Sequence, residues 1–563
     1  LEPEFDAIIV GAGPAGCACA LTLARRGANV LMLEKATIPG ERNMTGGVLY
    51  GSFIGNYGLI NLIPEFEIEA PLERRIISHE VTVLSKPNWK SKEFKFFRLT
   101  KDSMPSRFGL FNLEFETGHD YSVLRRKFDQ WFANKALEAG AMLSTQTTVE
   151  ELLKENDVIV GVRTTKEELR SKVVIDCSGV TSNLAEMAGL RNSLVPRQLY
   201  HGIKHVYTMD ANFIEQRFKV KKGEGRALFY IGGFMKGVNG GAFIYTNNDA
   251  LSVGIVVSMD SVIRATTERF DEVGKPLDIL EEFERHPMIA QLLEGGEMVE
   301  YSAHNIPKGY KSMLKRPYAD GFLVAGDALG AFVKIGPLID GMRRAIASGM
   351  MAAETYLLAN ESGSFRASNL SRYKELLAPI YEDVNRSGRD SFFTESAFVY
   401  NILPRVLFSS SLFSKKVKMQ SDKEEFDSRD AIQRIQMRTG LVKYDEDKIY
   451  SHIRVDPELA SRSISKPWIP ACPVNCYTLL TPEGVFASYR DLYEHNIRAL
   501  GDKKRGKTSR QAYQITLKDI EEGQVRFDHV ACVACGTCGV IGPREMVLFR
   551  HERDGHGVRY AYG

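Results

Sequence analysis

Asp6-Ala7-Ile8-Ile9-Val10-Gly11-Ala12-Gly13-Pro14-Ala15-Gly16 is an apolar run of strand length that breaks into a glycine turn. The small-residue segment 17–26 follows and predicts a helix, Gly27 stops it, and residues 29–33 form a second apolar strand ending at Glu34 and Lys35. Strand, glycine turn, helix, strand and acid stand in the register of a dinucleotide fingerprint, with the acid about 20 residues beyond the glycines. Gly11 allows the tight turn, Gly13 lets the backbone approach a pyrophosphate, and Gly16 lets helix and strand pack closely. Pro14 and Ala15 open the helix, whose free N–H groups and partial positive charge favour an anion. Glu34 can accept hydrogen bonds from both ribose hydroxyls, which disfavours a 2′-phosphate there.

The chain has 563 residues, 44% of them hydrophobic, which is enough for two to four domains with a large core. Its 73 Lys and Arg nearly balance 71 Asp and Glu, so the net charge of +2 gives no electrostatic footprint for nucleic acid. There is no uninterrupted apolar run of spanning length and no basic, secretory-type N-terminal region. A cytoplasmic location, peripheral on the inner face of the cell membrane, is the expectation.

Downstream, the loop Asn43-Met44-Thr45-Gly46-Gly47 is suited to pass close to a flat ring system. Residues 121–128 open a helix reaching about residue 140, with Phe128, Trp131, Phe132, Ala136 and Leu137 as core at helical spacing, and Arg125 as a candidate for the cofactor's phosphate or ribitol region. Short strands are expected at 142–145, 158–163 and 172–175. Residues 195–310 read as a mostly antiparallel sheet lying over the cofactor, with His205 and His304 as hydrogen-bonded structural histidines. A second nucleotide signal lies at Gly321-Phe322-Leu323-Val324-Ala325-Gly326-Asp327, where Asp327 can offer a carboxylate to the hydroxyls of a ribityl chain. Gly336, Pro337 and Gly341 follow, then a long helix opening at Met342, whose N-terminus would stabilise a reduced anionic flavin ring. Together the two glycine motifs specify one FAD held by a discontinuous domain. No second GxGxxG is present for nicotinamide.

These motifs, with Tyr121-Ser122-Val123-Leu124-Arg125 and Tyr301-Ser302-Ala303-His304, closely resemble the electron transfer flavoprotein:quinone oxidoreductases, above all the Fix-type flavoproteins, relatives of the geranylgeranyl reductases. The resemblance covers residues 5 to about 440. It implies an α/β, Rossmann-like FAD-binding domain of the hydroxylase-like type, one noncovalent FAD, and electron entry from the α/β subunits of an electron transfer flavoprotein.

Of the eight cysteines, Cys17, Cys19 and Cys177 stand in apolar company and read as small core residues. The other five fall in the last hundred residues, which points to a metal centre and not to a disulfide framework. Cys532, Cys535 and Cys538 at successive two-residue gaps, preceded far upstream by Cys472-Pro473, form the ligand set of one ferredoxin-type 4Fe-4S cluster. A zinc site competes, but the triplet suits a cube corner better than a pair-plus-pair tetrahedron. Cys476 is surplus. The segment resembles the small ferredoxin-like partner usually found as a separate chain, here fused.

The expected organisation is therefore an FAD-binding domain at 1–194 and 311–360, an inserted antiparallel sheet domain at 195–310, a helical region and linker at 361–446, and an α+β iron-sulfur domain at 447–563. Residues 391–413, apolar and followed by Lys415, Lys416 and Lys418, could lie in a membrane interface or form a core helix, the commoner fate of such a stripe. Lys503, Lys504, Arg505, Lys507 and Arg510 read as a solvated basic loop. The functional expectation is transfer of electrons from reduced electron transfer flavoprotein to a membrane quinone. A prenyl reductase fed by its ferredoxin domain is the alternative.

Overall fold

The computed structural model describes residues 3–44, 47–51, 53–85, 92–100, 119–335, 338–394, 415–416, 431–501, 505–530 and 532–563. Thr45, Gly46, Gly336, Pro337, the apolar stretch 395–413, Lys418, Lys503 and Lys504 lie outside them. Among the described residues no helix is long and apolar enough to cross a membrane.

The first strand, Phe5–Val10, is buried over its last four residues, as the middle of a parallel sheet covered on both faces must be. It pairs in parallel with Val30–Leu33 on one side and Glu168–Asp176 on the other, and Glu168–Asp176 pairs in parallel with Phe322–Val324. The register sets Val10 opposite Leu33 and Asp176, and Asp176 opposite Val324. Four strand ends therefore lie level, and the residues that follow them border one crevice at the carboxyl edge, where ligands of open α/β sheets bind.

Helix Pro14–Ala24 covers this sheet and packs along helix Met342–Glu361. The approach is close because the second helix has Gly349 at the crossing, where a Cβ would lie 2.1 Å from the Ala15 carbonyl oxygen. The fingerprint helix runs over 14–24 and not from residue 17, since Pro at the first helical position has no N–H to lose. The aromatic helix spans Arg125–Glu138, with Phe128, Phe132 and Ala136 buried and Leu137 at its exposed edge.

A second sheet of ten strands contains Leu199–Thr208, Glu224–Gly232, Gly240–Thr246, Ala250–Ser258 and Glu297–Pro307. It extends beyond the segment expected from sequence. Arg75–Leu84 and Lys92–Thr100 also join it, the former in parallel with Glu224–Gly232, so this sheet and the first are threaded through each other in chain order.

The C-terminal region builds three small sheets and several helices, including Tyr489–Leu500 and Arg505–Glu522. The basic segment from Arg505 onward is thus helical and not loop. The region shares one core with the ten-stranded sheet: Trp468, Val474, Tyr477 and Val547 are buried with Ile203, Leu251 and Phe283. Polar bonds fix the docking. Lys275 Nζ, fully buried, donates to the carbonyls of Ile469, Cys472 and Val474 at 2.8–3.1 Å, and Tyr301 donates to the Pro473 carbonyl at 2.6 Å.

Candidate functional site

The crevice at the strand ends opens into a cavity whose wall contains Gly11, Gly13, Pro14, Ala15, Glu34 and Lys35 from the first unit. Gly47 and Arg125 join them, as do Gly326, Asp327, Gly341 and Met342 from the distant second motif. Gly16 stands behind the wall. A Cβ there would lie 1.9 Å from the Gly11 carbonyl oxygen, so its role is packing, as its place in the fingerprint implies. Gly13 differs: the nearest atom to a Cβ would be Arg125 Nη2 at 3.6 Å, and its open side faces the cavity.

Two helices begin here without a side-chain cap and without an acid in the first turn, at Gly13 and at Gly341. Their unpaired N–H groups and partial positive charges favour an anion. Glu34 accepts from the Ala12 N–H at 3.0 Å and the Ala36 N–H at 2.8 Å, so one carboxylate ties the glycine turn to the end of its strand and keeps further acceptor capacity. Arg125 is held by two bonds to Asp129 at 2.8 and 2.7 Å. Burial pushes the Asp327 carboxyl up to about 6, against the pull of Arg125.

Several wall residues carried no recognised sequence signal. Arg42 is buried, and its Nε and Nη2 have no hydrogen-bond partner among the described residues. A buried guanidinium with idle donors on a cavity wall fits a cavity made for an anionic ligand. The loop after Asp176 is folded by that carboxylate, which accepts from Ser178 Oγ at 2.6 Å and Ser182 Oγ at 2.8 Å. Tyr245, Phe332 and His304 supply flat or apolar wall. Burial and the cations Lys35 and Arg125 push His304 down to about 4, so it stays neutral. His205, by contrast, is bonded to Glu284 at 2.7 Å, away from this cavity.

Two further wall residues, Ala534 and His551, come from the C-terminal region. His551 Nδ1 lies 2.7 Å from Lys35 Nζ, an ammonium pushed down to about 8 by burial and by Arg42. Beyond it the chain runs along the first unit: the Gly555 N–H donates to the Lys35 carbonyl, the Tyr560 N–H to Glu41, and the Arg125 N–H to the Gly563 carbonyl, at 2.7–3.0 Å.

Ala534 belongs to the loop that builds a second cavity. Cys472, Cys476, Cys532, Cys535 and Cys538 all line it, with Trp468, Tyr477 and Phe549. Ala534 and Gly536 take left-handed backbone (φ 52° and 77°), which curls residues 532–538, and Cys532, Cys535 and Cys538 all line the one cavity. Cys472 follows the short helix Trp468–Ala471, which the Lys275 bonds hold in place. The Trp468 indole N–H is buried here with no partner among the described residues, a donor suited to an acceptor-rich guest. Cys476 shares the cavity with Cys472 and Cys532, and the proximity of the three thiols favours ionisation of Cys472 and Cys532, drawn below the usual range, over that of Cys476, held above it. Behind Cys532 lie His452 and Glu552, a group with metal-ligand chemistry that spacing alone did not reveal.

Residues 6–199 match the FAD dependent oxidoreductase family. Protein FixC of Escherichia coli K12 is 37% identical over 376 residues, covering 67% of this chain and 82% of its own. The probable electron transfer flavoprotein-quinone oxidoreductase YdiS of the same organism is 32% identical over 408 residues, covering 72% and 89%. Among solved structures, a geranylgeranyl bacteriochlorophyll reductase-like protein from Thermoplasma acidophilum superposes with a TM-score of 0.54 at 22% identity, over 72% of this chain and 90% of that one. At that identity the likeness concerns fold alone.

Proposed function

Because the chain belongs to the family of FixC and the electron transfer flavoprotein-quinone oxidoreductases, and is an FAD-dependent oxidoreductase, we propose that it oxidises a reduced electron transfer flavoprotein and reduces a membrane quinone, using FAD and one 4Fe-4S cluster. Bound in the two cavities, FAD supplies one- and two-electron exchange and the cluster one-electron exchange. The observation that carries this reading is the loop Cys532-Val533-Ala534-Cys535: its cysteines line one cavity while Ala534 lines the other, so a single loop forms the wall between them.

In this reading the N–H groups at Gly13 and the guanidinium of Arg42 hold the pyrophosphate, with Arg125 beside them. Glu34 holds the adenosine ribose, and Asp327 faces the ribityl chain. Gly47, Gly341 and Met342 let backbone approach the flavin ring, with Tyr245 and Phe332 excluding water. Cys472, Cys532, Cys535 and Cys538 hold the cluster, Cys476 is surplus, and Trp468 acts as an N–H donor. Zinc is disfavoured by the spacing of Cys532, Cys535 and Cys538, which suits a cube corner better than the pair-plus-pair set of a tetrahedral site. Attachment to the inner face of the membrane is peripheral, and the electron transfer flavoprotein docks from the aqueous side.

The deciding experiment is anaerobic. Reduced electron transfer flavoprotein should bleach the flavin spectrum and produce the EPR signal of a reduced cluster, and a quinone analogue should reverse both. Rapid reduction by NADH alone would sink the partner assignment. Turnover of a geranylgeranyl lipid in place of quinone would move the protein to the prenyl reductases.

A further inference from the structure

Between Arg42 of the one cavity and Cys532 of the other runs a row of buried side chains, of which Glu552 and His452 have no role in either site as described so far. Arg42, on the flavin-cavity wall, stands 3.8 Å from Glu552, both buried. Glu552 Oε1 stands 3.4 Å from His452 Nε2, and the same nitrogen is 3.2 Å from Cys532 Sγ. The His452 ring is 3% exposed and is fixed on every side. Its carbonyl accepts from the Arg550 N–H at 2.7 Å, its backbone leads into the pairing of Ile453–Val455 with Val547–Phe549, and its ring is boxed edge-on by Phe549 and His529.

Nε2 thus faces two acceptors. A carboxylate has no proton to give, and a sulfur bound to metal has none either. The nitrogen must therefore carry hydrogen, whichever protonation state the ring adopts. Of the two acceptors the sulfur is the nearer, although sulfur is the larger atom. Neither Glu552 oxygen has a hydrogen-bond partner among the described residues, so the carboxylate acts on the ring as a buried charge that keeps the hydrogen on Nε2.

We infer that His452 is a positioning residue for the redox reaction: it donates an N–H···S bond to Cys532, oriented by Glu552, and thereby raises the reduction potential of the cluster. This rests on the cluster assignment above. The physical reason is that a reduced cluster carries one more negative charge, spread over its sulfurs, so a fixed donor stabilises the reduced form more than the oxidised one. Because Glu552 is shared with Arg42, the same row reaches the wall of the flavin cavity.

The test is an EPR-monitored redox titration of the full chain with FAD and iron loaded. At the potential where the parent cluster is half reduced, His452→Leu should lower the ratio of reduced to oxidised cluster about tenfold, about 59 mV for one electron. His452→Gln, which keeps a donor, should recover most of that change, and the flavin potential should stay put in both. A second measurement needs no variant. In parent protein labelled with 15N only at histidine, pulsed EPR of the reduced cluster should detect histidine nitrogen coupling, and His452→Gln should abolish it. An unchanged ratio in iron-replete His452→Leu, a Gln variant as low as Leu, or no nitrogen coupling in the parent overturns the inference. So does iron lost from His452→Leu and kept in Cys532→Ser, since His452 would then be a ligand. Parent protein without iron or an EPR signal would instead defeat the cluster assignment itself.

Discussion

The two cavities are walled by different materials. The cavity proposed for the flavin is lined at its strand edge by backbone: glycines that leave room, helix N-termini that leave N–H groups free, and a carboxylate that braces the turn. The cysteine cavity is lined by side chains from segments sixty residues apart in sequence, and its shape depends on how those segments are docked. Backbone walls are set by short sequence and hold without a guest. A side-chain wall is set by packing, and here that packing is borrowed from the neighbouring sheet through Lys275 and Tyr301. The first cavity should therefore fail at single glycines, and the second at its thiols and its docking bonds.

The largest expected effect separates two glycines of one turn. Gly16→Val places a side chain against the Gly11 carbonyl and should leave little folded protein, whereas Gly13→Val has space on the protein side and should fold while losing most of its FAD. Flavin absorbance per folded protein measures this, and full FAD occupancy in Gly13→Val would break the account of the turn.

Next comes independence of the cavities. Cys535→Ser should lose its cluster, read by iron content, yet keep FAD, because the backbone-walled cavity needs only the small Ala534 from that loop. Cys476→Ser should keep its iron. Iron lost at Cys476 and kept in Cys472→Ser would exchange the roles of those two thiols.

A smaller effect is expected at the dock. Lys275→Met strands three buried carbonyls, and the loss of about 2–4 kcal/mol should fall on the C-terminal region. Hydrogen exchange should rise across residues 466–476 before it rises in the first sheet; equal protection of that segment in Lys275→Met and the parent would show that the loop holds itself.

The smallest effect is a pH dependence. With its folded pKa pushed up to about 6 by burial, Asp327 binds its proton more tightly in the folded chain, so stability is lost as pH rises from about 4 to about 6. In FAD-free protein Asp327→Asn should gain about 1–2 kcal/mol over the parent across that interval, discounted because the carboxyl faces a cavity that admits water. Thermal melts at pH 4 and pH 7 decide it, and a gap that closes as pH rises would refute the sign.

What was legible from sequence follows the same division. Gly11, Gly13, Gly16 and Glu34 could be read because their roles are local: the turn conformation, the helix N-terminus and the strand end are all set within thirty residues. Gly326 and Asp327 could be read as a second strand end, and the pairing of Asp176 with both Val10 and Val324 is what brings them to the first. The cysteine spacing raised the expectation of a metal centre, and the fold brings Cys532, Cys535 and Cys538 to one cavity with Cys472 and Cys476. Sequence could not supply Arg42, His452, Ala534, His551 or Glu552, because each matters through a neighbour hundreds of residues away or through one buried contact. Nor could it say that strands from 75–100 complete the second sheet, since edge and centre strands share one alternating pattern. The chain's own order of residues thus determined two nucleotide-type turns and a thiol cluster. Only the tertiary structure decided that these share a wall, because the free energy that seats the cysteine loop against the flavin cavity comes from burial and hydrogen bonds between segments that local sequence does not connect.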